Sequence, residues 1–269
     1  MKFRLLFLSL CTMAALTFPS CDKDDTTPAE TEPVGQGTVS LAFDNMYGAN
    51  ALSVVQEYTT SLHETLTINN LKYIVSNVTF IKSDGTTYVY PKNQSYFIIN
   101  QLKRNSRTLS LSGIPAGDYA KVKFGLGVDR EQFSMGASGQ GDFLAAAQAE
   151  QMLWSWSAGY RFLAYEGTYT SETVTDPLPF EIHTGQTGTD YNYAEVTLTL
   201  PSSLKVQKDG TYQIHIKADI SKIIDGAAKI NLTEIDEQGT GATIIGGNLL
   251  PVVTANFSGA FSADAVTNN

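Results

Sequence analysis

Lys121-Val122-Lys123-Phe124-Gly125-Leu126-Gly127-Val128 sets large apolar residues against lysine and glycine at every second position, and a period of two marks a strand with one face buried. A helix would throw Val122 and Phe124 to opposite sides. The same alternation returns in Val39, Leu41 and Phe43, in Val196, Leu198 and Leu200, and in Ile214, Ile216, Ala218 and Ile220, the last set broken by His215, Lys217 and Asp219. Asp84-Gly85 separates Thr79–Ser83 from Thr87–Tyr90, and Asp209-Gly210 leads into Thr211–Ile220; both predict tight hairpin turns with positive φ. Pro115-Ala116-Gly117 interrupts another pair. About nine such strands joined by long irregular connections predict an all-β fold, a two-sheet sandwich. Asp142–Met152 departs from the pattern with an acidic start and a run of good helix formers, which predicts a short helix just before a Trp-x-Trp strand. The Gly/Thr-rich stretch Asp236–Gly247 reads as a loop with a short strand. No internal repeat or change of composition marks a second domain, so residues 38–269 read as one domain.

At the N-terminus, Lys2 and Arg4 precede an apolar run from Leu5 to Leu16 that is too short to span a bilayer and has the flanks of a signal peptide, residues 1–20. Phe18-Pro19-Ser20-Cys21 resembles a loose bacterial lipobox of the Bacteroidota type. Cys21 is then the expected lipid anchor, and an outer-membrane lipoprotein on the periplasmic or cell-surface side is the expected location. The other reading is ordinary cleavage near Ser20 with Cys21 left as a free thiol. Residues 21–37, with Asp22-Lys23-Asp24-Asp25 and then Thr, Pro and Glu, read as a solvated tether with too little apolar surface to order it. An acidic run directly after the cysteine also resembles the surface-export signal of such lipoproteins.

Composition excludes several chemistries. Cys11 leaves with the signal and Cys21 is committed to lipid, so the mature domain has no thiol for disulfides, zinc-thiolate sites or nucleophilic catalysis. Losing Lys2 and Arg4 takes the net charge from −9 to about −11, which makes nucleic acid and anionic headgroups poor partners. Proton transfer would have to rest on His63, His183 and His215 or on a carboxylate pair, none of which shows a catalytic spacing, and there is no nucleophile elbow, phosphate-cradling loop or His-x-x-x-His pair. These absences point to a binding protein rather than an enzyme.

Both tryptophans fall in Met152-Leu153-Trp154-Ser155-Trp156-Ser157-Ala158-Gly159-Tyr160-Arg161-Phe162. As one strand, this stretch puts Met152, Trp154, Trp156, Ala158 and Tyr160 on a single face, which is either core or an exposed platform for stacking sugar rings. His183 stands in Phe180-Glu181-Ile182-His183-Thr184-Gly185, at a strand end before a glycine, where side chains of β proteins reach toward a site. His215 alternates away from the apolar face of its strand, and His63 has no partner nearby in a polar stretch.

In order along the chain, Ile114-Pro115-Ala116-Gly117-Asp118-Tyr119, Val122–Asp129, Met152–Phe162, Glu166-Gly167 and Phe180–Gly185 resemble the MbnP-like family of copper-binding envelope proteins. Leu71–Val78 followed by Asp84-Gly85 is similar to that family's early hairpin, and the resemblance covers roughly residues 38–262. It implies a β-sandwich that holds copper through histidine and a kynurenine made from tryptophan by a di-haem partner of the cytochrome c peroxidase type. Indole N–H has no lone pair for a metal, whereas oxidative ring opening leaves an arylamine that does. The modified residue would be Trp154 and one imidazole His183. Where the family places a second histidine, this chain has Trp156, so a further donor would come from Met152, His215 or His63, and a thioether would favour Cu(I). Two functions are expected from this: copper storage, acquisition or detoxification at the cell surface, or a non-metal interaction or glycan-binding module on the same fold.

Overall fold

The computed structural model describes residues 34–187 and 190–268. The signal peptide, Cys21 and the tether up to residue 33 lie outside the described residues. Most of the alternating stretches become strands, and two sheets pack in a sandwich-like arrangement with a few short helices. Among the described residues nine strands are eight residues or longer: Gln36–Tyr47, Thr65–Lys82, Thr108–Pro115, Gly117–Leu126, Gly159–Thr170, Leu178–Thr187, Ala194–Val206, Thr211–Asp219 and Phe261–Asn268. Shorter strands, among them Tyr96–Asn100, Leu153–Ser155 and Ala242–Ile244, decorate their edges.

The five-stranded sheet centres on Gln36–Tyr47, which pairs in parallel with Thr211–Asp219 and antiparallel with Thr108–Pro115. Its first paired residue is Gln36, two positions inside the stretch that composition assigns to the tether. Backbone pairing of Gln36 and Gly37 with Pro115 and Ile114 orders a segment that has few apolar side chains of its own. The eleven-stranded sheet is built on Thr65–Lys82, whose length lets it pair with both Gly159–Thr170 and Gly117–Leu126.

Residues read as inward-facing from alternation fill the space between the sheets. Val39, Leu41, Phe43, Val122, Phe124, Ile214 and Ile216 are all buried. Phe43 meets Tyr73 and Phe124 of the larger sheet edge-on, with ring centroids 6.2 and 5.6 Å apart. A second apolar cluster lies elsewhere in the molecule, where Ile74, Val128, Tyr160, Phe162 and Ala164 are packed with Ala147 and Met152. The segment from Arg130 to Ser155 supplies that covering, including the expected helix, observed at Asp142–Ala149. Asp142 lies in its first turn, and Gln151 adopts φ 59° just beyond its end, the left-handed conformation that commonly stops a helix.

Two sequence expectations need correction here. Asp84-Gly85 forms its hairpin, pairing Thr79 with Val89, but Asp209-Gly210 does not. It carries the chain from Ala194–Val206 in the large sheet to Thr211–Asp219 in the small one, so turn chemistry marks the corner correctly without saying which strands it joins. The Trp-x-Trp stretch is not one strand. Leu153–Ser155 ends in a turn through Trp156, Ser157 and Ala158, and the chain re-enters at Gly159, with Ser155 paired to Gly159 and Leu153 to Tyr160. Ala158 N–H donates to Ser155 Oγ at 3.1 Å and Gly159 takes φ 84°, so Ser-Ala-Gly acts as turn chemistry inside an alternating pattern. Besides the expected helix, Leu249–Ser258 forms another that buries Leu250, Val253 and Phe257. Asp236–Gly247 behaves as expected, a loop with the strand Ala242–Ile244.

Candidate functional site

Strand register assembles the site. Ala164 lies opposite Lys72 on one side and His183 on the other, and Glu166 lies opposite Asn70 and Glu181. Side chains two apart on a strand share a face, so Asn70 and Lys72, Ala164 and Glu166, and Glu181 and His183 form one patch over three adjoining strands. Their intervening neighbours Leu71, Tyr165 and Ile182 turn into the core and are fully buried. Ala164 in the middle projects only a methyl group, which leaves a depression of about 440 Å³ walled by Gln148, Gln151, Leu153 and Arg161. The strand Gly159–Thr170 slips register between Arg161 and Leu163, a bulge that re-aims the side chains beside it.

His183 is 4% exposed, and its Nε2 lies 2.6 Å from Glu166 Oε1. The two are diagonal cross-strand neighbours, close enough for long side chains to meet. Asn70 Nδ2 donates to the other Glu166 oxygen at 3.1 Å. The hydrogen bond from His183 holds the Glu166 carboxyl below its ordinary range; burial opposes it, and the hydrogen bond from Asn70 and the nearby Arg161 charge add to the lowering.

Trp154 lies against this pair. Its ring centroid is 6.2 Å from that of His183, and the Arg161 guanidinium stands 5.6 Å from the indole centroid on a cation–π contact. Gly185 makes room for it: a Cβ there would sit 2.9 Å from Trp154 Cζ3 and 2.4 Å from the Tyr160 carbonyl oxygen. The sequence places His183 at a strand end before a turn, but His183 and Gly185 both lie inside the strand Leu178–Thr187 with Gly185 paired to Arg161, so this glycine answers the packing of the indole and not a turn. Arg161 Nε is buried without a hydrogen-bond partner beside the same ring.

Of the residues singled out from sequence, Trp154 and His183 come together. Met152 does not join them: it is fully buried in the second apolar cluster. His215 lies in the five-stranded sheet with Nδ1 3.5 Å from Asp44, and His63 occupies an exposed turn at φ 63°. Trp156 parts from Trp154 and packs on Phe133, centroids 4.9 Å apart, and edge-on to Tyr160 at 6.3 Å. Glu166, Asn70, Lys72 and Arg161 were not foreseen as neighbours of His183, since only cross-strand register brings them there.

The donor set decides what the pocket could hold. Among the described residues, no three His, Cys, Asp or Glu side chains converge as a metal-holding group. The pocket is lined by one imidazole, His183, and two carboxylates, Glu166 hydrogen-bonded to it and Glu181 on the exposed side, while an intact indole offers no lone pair. A copper centre fits here if the Trp154 ring, already placed against His183, is opened to an amine; the encoded side chains by themselves fall short of one.

A family model described as MbnP matches residues 36–243. The solved structure of MbnP from Methylosinus trichosporium is similar at 11% identity, with 73% of this chain and 83% of that chain covered and a TM-score of 0.46. No curated protein matches the chain.

Proposed function

This chain belongs to the MbnP family, and from that premise we propose that it is a bacterial outer-membrane lipoprotein, anchored through Cys21, that binds copper at His183 and an oxidised Trp154. Storage, acquisition or detoxification at the cell surface would follow from such a site. The observation that carries the proposal is the contact between Trp154 and His183, two residues far apart in sequence whose rings meet beside one polar pocket. A di-haem peroxidase-like partner would oxidise the indole. The bound ion would supply a redox-active, nitrogen-seeking centre, and the chain's part is to hold the imidazole buried and the modified ring beside it.

Mass spectrometry of protein taken from the membranes of its native host provides the test. The peptide containing Trp154 should carry the mass of kynurenine, and the peptide beginning at Cys21 should carry lipid. Native protein should bind Cu(I) more tightly than unmodified recombinant protein. Trp154→Phe and His183→Ala should each weaken binding by at least about tenfold, equivalent to ~1.4 kcal/mol. His63→Ala and His215→Ala should leave it unchanged, because both lie away from the pocket. Intact Trp154 in native material together with unchanged copper affinity in His183→Ala would remove the copper reading. The non-metal interaction module would then stand, a reading that the tryptophan at position 156 already favours.

A further inference from the structure

An arginine side chain carries five N–H donors and no acceptor, and charged groups are seldom buried without a partner. Arg161 departs from that habit. Its guanidinium lies against the Trp154 ring, its Nε is buried with no acceptor, and among the described residues no hydrogen bond or ion pair engages the group. Most other charges around the depression over Ala164 are already engaged. Lys72 Nζ donates to the Glu150 carbonyl at 2.8 Å and lies 3.8 Å from its carboxylate, while the two oxygens of Glu166 meet His183 and Asn70. Glu181 is the exception, an exposed wall residue whose carboxylate has no partner among the described residues. The pocket therefore holds one unpaired cation and one unpaired anion.

We propose that this pocket binds a short zwitterionic peptide, its carboxylate on the Arg161 guanidinium and its ammonium on Glu181. Such binding needs neither a metal nor an opened indole, so it does not rest on the copper reading. A simple anion would gain Arg161 but face the carboxylates of Glu166 and Glu181, and a simple cation would leave Arg161 unpaired; a molecule with both charges answers both. Spacing sets the length. Arg161 pairs with Gly185, four residues from Glu181 on the same strand, which is roughly 13 Å of extended backbone. Strand side chains stand nearly perpendicular to the sheet, and a hydrogen bond at each end takes up part of that distance, leaving roughly 7 Å, the extended length of two residues. A cavity of about 440 Å³ accepts a molecule of that size, and Gln148 and Gln151 on its wall carry amides that can meet a peptide bond.

Titration calorimetry of the intact, unmodified, metal-free protein with alanylalanine tests this. The dipeptide should give a saturable one-to-one heat, and amidating its carboxyl or acetylating its amine should each weaken binding by about tenfold or more. Glu181→Gln changes an exposed side chain, so the variant should fold as the parent does. It should weaken alanylalanine about tenfold and leave the N-acetylated form unchanged, since that form has no ammonium to lose a partner. Arg161→Lys keeps the charge but loses the paired donors, so it should weaken alanylalanine and leave the C-terminal amide unchanged. No saturable heat at millimolar dipeptide overturns the proposal, as does equal binding of the capped and free forms or an affinity that ignores Glu181→Gln. The copper reading is tested on native, modified protein, so either can fail without the other.

Discussion

Gly185 has no room for a methyl group: its Cβ would meet the Tyr160 carbonyl at 2.4 Å and the Trp154 ring at 2.9 Å. The carbonyl belongs to a paired strand and cannot retreat, so the indole must move. Gly185→Ala should therefore cost about 1–3 kcal/mol, the usual range for overpacking, and should push Trp154 off His183. Urea unfolding measures the first effect. Fluorescence in a Trp156→Phe background, where Trp154 is the sole tryptophan, reads the second; unchanged stability and an unchanged spectrum together would show that the indole is not held as described. At this scale the sequence made two residues of the site visible, Trp154 as an unusual side chain in an unusual stretch and His183 two residues before a glycine. It could not show Glu166 or Asn70, because carboxylates and amides are common on strands and only their alignment with His183 makes them notable.

Asp129 shows how one side chain organises an element. It caps the short helix Arg130–Ser134 by accepting from the Gln132 N–H at 3.0 Å, and it also accepts from Tyr96 Oη at 2.6 Å, Asn77 Nδ2 at 2.9 Å and Lys92 Nζ at 3.0 Å. Burial raises its pKa, but the bonds from Tyr96, Asn77, Gln132 and Lys92 outweigh that and bring it down to about 2. Because the folded value lies below the unfolded one, the unfolded chain binds the proton better. The stabilisation is complete above about pH 4 and is lost as the pH falls toward the folded value. Asp129→Asn should flatten the pH dependence of stability in that acid window. At neutral pH it should cost on the order of 2 kcal/mol, as measured by thermal unfolding across pH. An unaltered acid limb would mean that Asp129 has no depressed pKa. The Trp-x-Trp hairpin belongs to the same scale. Its alternation was legible, but the turn at Ser157 and Ala158 was not, since small polar residues serve a strand and a turn equally well and the pairing of Ser155 with Gly159 settles the choice.

Across the whole molecule the two sheets are joined by apolar packing and by a buried polar chain. Tyr73 Oη of the large sheet donates to Asn45 Oδ1 of the small one at 2.9 Å, and Asn45 Nδ2 donates to Gln101 Oε1 at 2.9 Å. Asn45 is 2% exposed, so losing its partner would leave a buried carbonyl unsatisfied. Tyr73→Phe should cost about 1–3 kcal/mol, lowering the urea midpoint with an unchanged m-value; an unmoved midpoint would show that the sheets do not depend on this bond. Period-two alternation determined the all-β class and most of the core, because which side of a strand a residue occupies is a local property of the extended backbone. The run of helix formers likewise determined the helix at Asp142–Ala149. Tertiary structure alone decided that Gln36–Tyr47 pairs in parallel with Thr211–Asp219, that the Asp209-Gly210 corner passes between sheets, and that Trp154 rather than Met152 or His215 reaches His183. Each of these is a relation between segments distant in the chain, fixed by register and packing energies that no local run of residues encodes.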